Sequence, residues 1–108
     1  MIKGIDVNQR IPFSSVNDTD EVKTVFIFQP MTAEALLNYV GGDQGGTLAL
    51  SGDKLFDFLA MSIVEIQGYD QMRGTIKETL KTLPILVITE LVTESGKINK
   101  ITGTDQKN

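Results

Sequence analysis

The sequence predicts an α+β fold: a small single domain in which three to four helices pack with a short β element, carrying extended N- and C-terminal arms. Three observations point there. The chain has 108 residues, enough to bury one core and too few for two. Apolar side chains recur at helical spacing in several segments, whereas one stretch, "VKTVFIF", is β-branched and aromatic. The apolar share of 41% and charged share of 22% match folded domains, so a core is expected rather than wholesale disorder.

Residues 1–20 mix isolated apolar side chains with turn formers and close on "SSVNDTDE", whose Ser, Asn and Asp side chains compete for backbone hydrogen bonds. They read as an N-terminal arm, residues 21–96 as the globular core domain, and residues 97–108 as a C-terminal docking tail. Within the core, residues 22–28 form the strand, stopped by Pro30. Thr32 caps a helix that carries Glu34 in its first turn, with Ala33, Leu36, Leu37 and Val40 at helical spacing and Gly41 and Gly42 as its stop. A second helix is expected over residues 53–67, because Leu55, Phe56, Phe58, Leu59, Ile63, Val64 and Ile66 cover more than one helical face and Gly68 suits a left-handed cap. Thr75 and Glu78 have capping-box spacing ahead of Ile76, Leu80 and Leu83, which predicts a short third helix. Residues 85–89 read as a strand by β-branching, yet Ile85, Ile88, Leu91 and Val92 recur as a helix running from Pro84 to Gly96, and the helical reading is preferred.

The chain contains neither cysteine nor histidine. That excludes disulfides, thiolate nucleophiles, imidazole bases and Cys/His zinc sites. An enzyme would have to work with carboxylates, hydroxyls or lysines, and no convincing nucleophile–base pair emerges, so no catalytic residue, cofactor or metal is expected. The longest strictly apolar run, residues 83–88, contains Pro84 and falls far short of a membrane span, and no apolar stretch follows Lys3; neither an export signal nor a membrane helix is predicted. The net charge is −4 and is unevenly spread, the body being acidic and the C-terminal third mildly basic. Such a balance disfavours nonspecific nucleic-acid binding and suits contact between protein subunits.

Four constellations bear on possible chemistry. The glycine-rich "VGGDQGGTLALSGDK" follows a helix, carries Asp43 where an anion would approach, and has no lysine before Lys54. It satisfies neither the phosphate-loop nor the dinucleotide pattern and reads as a flexible connection between helices. "NDTDE" lacks the spacing of a calcium loop and reads as a solvated turn. Asp53, Asp57 and Glu65 share one helical face on the expected second helix, where surface charge accounts for them. Met61 and Met72 with Phe56 and Phe58 suggest core filling more than an adaptable groove. The ends differ. Ile5, Val7, Ile11 and Phe13 in the first arm, and Lys97, Ile98, Lys100, Ile101 and Lys107 in the tail, pair apolar side chains with charge in segments suited to docking on a partner.

"RIPFSSVNDTDEVKTVFIF", "SIVEIQGYD", "LPILVITELV" and the closing "NKITGTDQKN" resemble a pattern in small proteins of the structural modules of tailed bacteriophages. The resemblance covers about half of the chain and implies a role in building or completing a virion, as a head, neck or decoration component. It implies other phage structural proteins and further copies of the chain as partners, with the host cytoplasm and then the virion as location, and no nucleic acid or membrane. A tail-assembly chaperone absent from the finished particle, or a small inhibitor or adaptor of a host protein, are the alternatives.

Overall fold

The computed structural model describes residues 1–39 and 52–99. Strand β1 (Ile11–Phe13) leads to β2 (Val25–Phe28), helix α1 (Ala33–Leu36), helix α2 (Asp53–Ser62), strand β3 (Ile63–Gln67), helix α3 (Ile76–Leu80) and helix α4 (Ile85–Asn99). The three strands form one antiparallel sheet in the order β1-β2-β3. The α+β class holds.

Period-2 alternation places Phe26 and Phe28 of β2 on the core face, both buried. Phe58 and Leu59 from α2, Ile63 and Ile66 from β3, Leu80 from α3, and Ile88 and Leu91 from α4 complete the interior. Phe13 meets Phe28 edge to face with ring centroids 6.1 Å apart, a favoured aromatic geometry. Two helices begin as their caps predict. The Thr32 hydroxyl accepts from the Ala35 N–H, and the Thr75 hydroxyl from the Glu78 N–H. Helix α4 opens on the Pro84 carbonyl, which accepts from the Val87 and Ile88 N–H groups at 3.0 and 3.1 Å, and the segment is a helix, not a strand.

Five boundaries differ from the sequence expectation. The second helix ends at Ser62, and Ile63–Gln67 turns into β3. A register shift in β2–β3 pairing, where Ile27 faces Glu65 but Phe28 faces Ile63, leaves Val64 as an extra residue on β3, so Ile63 and Ile66 both reach the core at a spacing of three. That spacing imitates a helix. Gly68 does adopt a positive φ of 73°, but at the end of a strand rather than of a helix. The main strand starts at Val25, three residues later than expected, because Thr24 is occupied with the Asp18 turn. Helix α1 is a single turn, its regular part ending at Leu36.

The two arms are shorter than expected. Residues 11–13 are not part of an arm: they pair as β1 along β2, Ile11 opposite Phe28 and Phe13 opposite Phe26. Pro12, which lacks an N–H, is tolerated because β1 is the sheet edge. At the other end α4 passes through Gly96 to Asn99. Ser95 and Gly96 are small buried residues, and the Ser95 hydroxyl lies 2.9 Å from that of Ser62; glycine here serves close packing rather than termination. Lys97 and Ile98 therefore belong to the helix, not to a tail. The glycine-rich loop and residues 100–108 lie outside the described residues.

Candidate functional site

The last turns of α4 and the chain just after β1 enclose a groove of about 260 Å³. Phe13 and Val16 form one wall, and Thr89, Glu90, Thr93, Glu94 and Lys97 form the other. Residues 89, 93 and 97, and residues 90 and 94, are four apart, so both rows face the groove from successive turns. The joint is made by Glu90. Its carboxylate accepts from the Ser15 hydroxyl and, at 3.2 Å, from the Val16 N–H, while the Ser15 oxygen accepts from the Asn17 N–H at 2.9 Å. Ser15 is buried, and each of its polar contacts fixes the course of the chain. The arrangement clasps the N-terminal segment to α4.

A second cleft, of about 270 Å³, lies beyond the same clasp. Its floor is apolar, built by Phe26, Tyr69, Leu83 and Val87, and its rim carries Asp18, Asp20 and Asp70. Asp18 is shaped by the "NDTDE" turn: its carboxylate accepts from the Thr24 N–H at 2.8 Å and the Asp20 N–H at 3.2 Å. Those backbone donors, Thr24 first, hold its carboxyl below the usual 3.8, with nearby Lys23 contributing and desolvation opposing. The Lys23 ammonium donates to the Asp18 carbonyl. The Tyr69 hydroxyl is paired with the Thr82 hydroxyl at 2.7 Å, which fixes the ring against the floor.

The predicted docking residues that the structure describes divide into three groups. Phe13 and Lys97, 84 positions apart by number, meet in the groove beside α4. Ile11 and Ile98 pack on the core and serve the fold. Ile5 and Val7 stay exposed in a segment whose hydrogen bonds are all local, Asn8 N–H to the Asp6 carboxylate, Gln9 N–H to the Asp6 carbonyl and Arg10 to the Val7 carbonyl. Lys100, Ile101 and Lys107 lie outside the described residues. The contributions of Ser15, Val16 and Glu90 escaped sequence reasoning, because the bond between them spans about seventy-five positions and no local pattern announces it.

Asp53 and Asp57 do share a helical face, and that face is engaged by Lys77, whose ammonium sits 2.8 Å from each carboxylate. Lys81 lies 3.4 Å from Asp53. Hydrogen bonds from Lys77, then Lys81, pull the Asp53 carboxyl below its usual range, and the same pairing, with Asp53 first, raises Lys77. Glu65 is absent from this group because it stands on β3. The carboxylates thus tie α2 to α3 through exposed ion pairs, whose stabilising effect is small. Met61 and Met72 are exposed, Phe58 is fully buried and Phe56 packs partly buried against the core, so core filling accounts for the two phenylalanines and not for the two methionines. Among the described residues no group of three or more His, Cys, Asp or Glu side chains converges to hold a metal ion, and no helix is long and apolar enough to cross a membrane. Comparison with protein-family models, curated proteins and solved structures finds no match to this chain.

Proposed function

We propose that this chain is a non-enzymatic assembly protein, acting through contacts with further copies of itself and with other structural proteins of a bacteriophage virion as a head, neck or decoration component. The observation that carries the reading is the set of apolar side chains left exposed ahead of β1 on a domain whose β1 exit is tied to α4. Glu90 clasps the segment leaving β1 to helix α4, while Ile2, Ile5 and Val7 ahead of β1 stay exposed, and in the sequence Lys100 and Lys107 follow Lys97. Side chains that gain nothing from their own domain become useful when a neighbour buries them, and the ordering entropy of the segment is then offset by contact area. The bacteriophage setting rests on the sequence resemblance.

The test is removal of residues 1–9, which leaves β1 and the Ser15–Glu90 clasp in place. Circular dichroism and melting should match the full chain, while complementation of a phage lacking the gene should yield few or no particles containing the truncated protein. Normal particles with normal amounts of it would refute the reading. Full-length protein that is required for particles yet missing from them would move the chaperone alternative to first place.

A further inference from the structure

The cleft rimmed by Asp18, Asp20 and Asp70 is not used by the fold, and its character is specific: an apolar floor under a carboxylate rim. Its ligand must present a cation next to an apolar side chain. Next to the lining residue Pro84, Ile85 and Leu86 at the start of α4 are 74% and 64% exposed. Among the described residues Lys23 is the cation bonded to the rim turn, through the Asp18 carbonyl, and Asp20 and Asp70 are exposed. The chain itself contains a matching segment. Lys97 and Ile98 are fixed in α4, so Lys100 and Ile101 are the first cation–apolar pair beyond the described helix.

For the Lys100–Ile101 pair, reach decides between its own subunit and another copy. The cleft touches α4 no further along than Val87, and the helix axis carries Asn99 about 18 Å beyond that residue at 1.5 Å per residue. Asn99 is pinned there, its side-chain oxygen accepting from the Met31 N–H at 2.8 Å. Two extended residues add at most about 7 Å. Ile101 therefore cannot reach the cleft of its own subunit.

We propose that the acidic cleft receives the Lys100–Ile101 segment of a second copy, giving a head-to-tail contact in which each subunit offers one cleft and one tail. This rests on the assembly reading above and names the surface that performs it. Such a contact is heterologous, so it closes into a ring or continues as a lattice according to the rotation it imposes. Charge complementarity sets its register and makes it weaken with salt.

Sedimentation equilibrium of the full-length chain tests this with two variants at exposed or tail positions, Asp20→Lys with Asp70→Lys, and Lys100→Glu with Ile101→Ser. Asp18 is kept because it holds backbone N–H groups. Wild type should self-associate with concentration, and each variant alone should do so about tenfold more weakly or worse. An equimolar mixture should form a 1:1 dimer, because one partner retains an intact tail and the other an intact cleft. Monomeric wild type, variants that associate like wild type, or a mixture that stays monomeric would each overturn the proposal. If the variants associate normally while removal of residues 1–9 still blocks incorporation into particles, the assembly reading stands and this inference falls.

Discussion

The buried hydroxyl pair of Ser62 and Ser95 offers a quantitative test of how α2, β3 and α4 are held together. Both side chains are fully buried, their oxygens lie 2.9 Å apart, and Ser62 sits where helix α2 gives way to strand β3. Beyond each other they have weak or single partners: the Met31 sulfur at 3.1 Å from Ser62, and the Asn99 amide at 3.3 Å from Ser95. Ser95→Ala would leave the Ser62 hydroxyl with only a thioether acceptor, and a stranded buried polar group costs about 1–3 kcal/mol. Ser62→Ala should cost about as much, since the Asn99 amide still donates to the Ser95 oxygen but the Ser95 O–H loses its Ser62 acceptor. The double replacement removes both hydroxyls and strands neither, so its cost should fall below the sum of the singles by about 1 kcal/mol or more. At about 4–8 °C per kcal/mol for a domain of this size, the single losses are readable in thermal melts, and urea titrations of the four proteins close the cycle. Additivity to within about 0.3–0.5 kcal/mol would show that the two hydroxyls do not depend on each other, and the account of this junction would be wrong.

Two further tests concern the backbone and the exposed charges. At Gly68, φ is 73° and an added Cβ would lie 3.1 Å from the Lys23 carbonyl oxygen, so Gly68→Ala should destabilise by about 1–2 kcal/mol through the left-handed conformation alone; an unchanged urea midpoint would contradict this. The Asp53 carboxyl is held below its ordinary 3.8, so its ion pair with Lys77 contributes stability that is fully present above that value and is lost as pH falls through the lower folded value. Melting temperature recorded below about pH 4 should therefore fall less steeply in Asp53→Asn than in wild type at low salt, a residual slope remaining from Asp18, which is depressed in the same direction. Parallel acid limbs for the two proteins would remove Asp53 from the account.

The elements most legible in the sequence are those fixed by local chemistry. Thr32 and Thr75 announce their helices because a hydroxyl three residues before an unpaired N–H satisfies it wherever the helix goes. Helix α4 is legible in about two turns of apolar recurrence, Ile85 to Val92. The helix-to-strand change at Ser62 is not, because a bulge gives β3 a spacing of three between Ile63 and Ile66, and the same apolar run serves both structures until β2 is present to pair with it. Strand β1 is hidden for a related reason: it has three residues, one of them proline, and its strand character comes entirely from pairing with Val25–Phe28.

The candidate surfaces were legible in their ingredients and not in their assembly. Phe13 and Lys97 could be singled out as an apolar and a charged residue near opposite ends, but what brings them together is Glu90 reaching Ser15 and Val16. The clasp changes where the candidate docking segments begin. Cutting the chain before Lys97 would take Ile98 from the core and the Asn99 oxygen from the Met31 N–H, so failure of such a truncation would report on folding and not on docking. A cut after Asn99 spares both. The same reasoning protects Ile11 and Phe13 at the other end, where loss of β1 would uncover the edge of β2 and remove the ring that packs on Phe28. Among the described residues, the segment able to serve a partner at least cost to the fold is therefore residues 1–10, whose hydrogen bonds are local, and the effect of removing it on assembly can be read apart from stability.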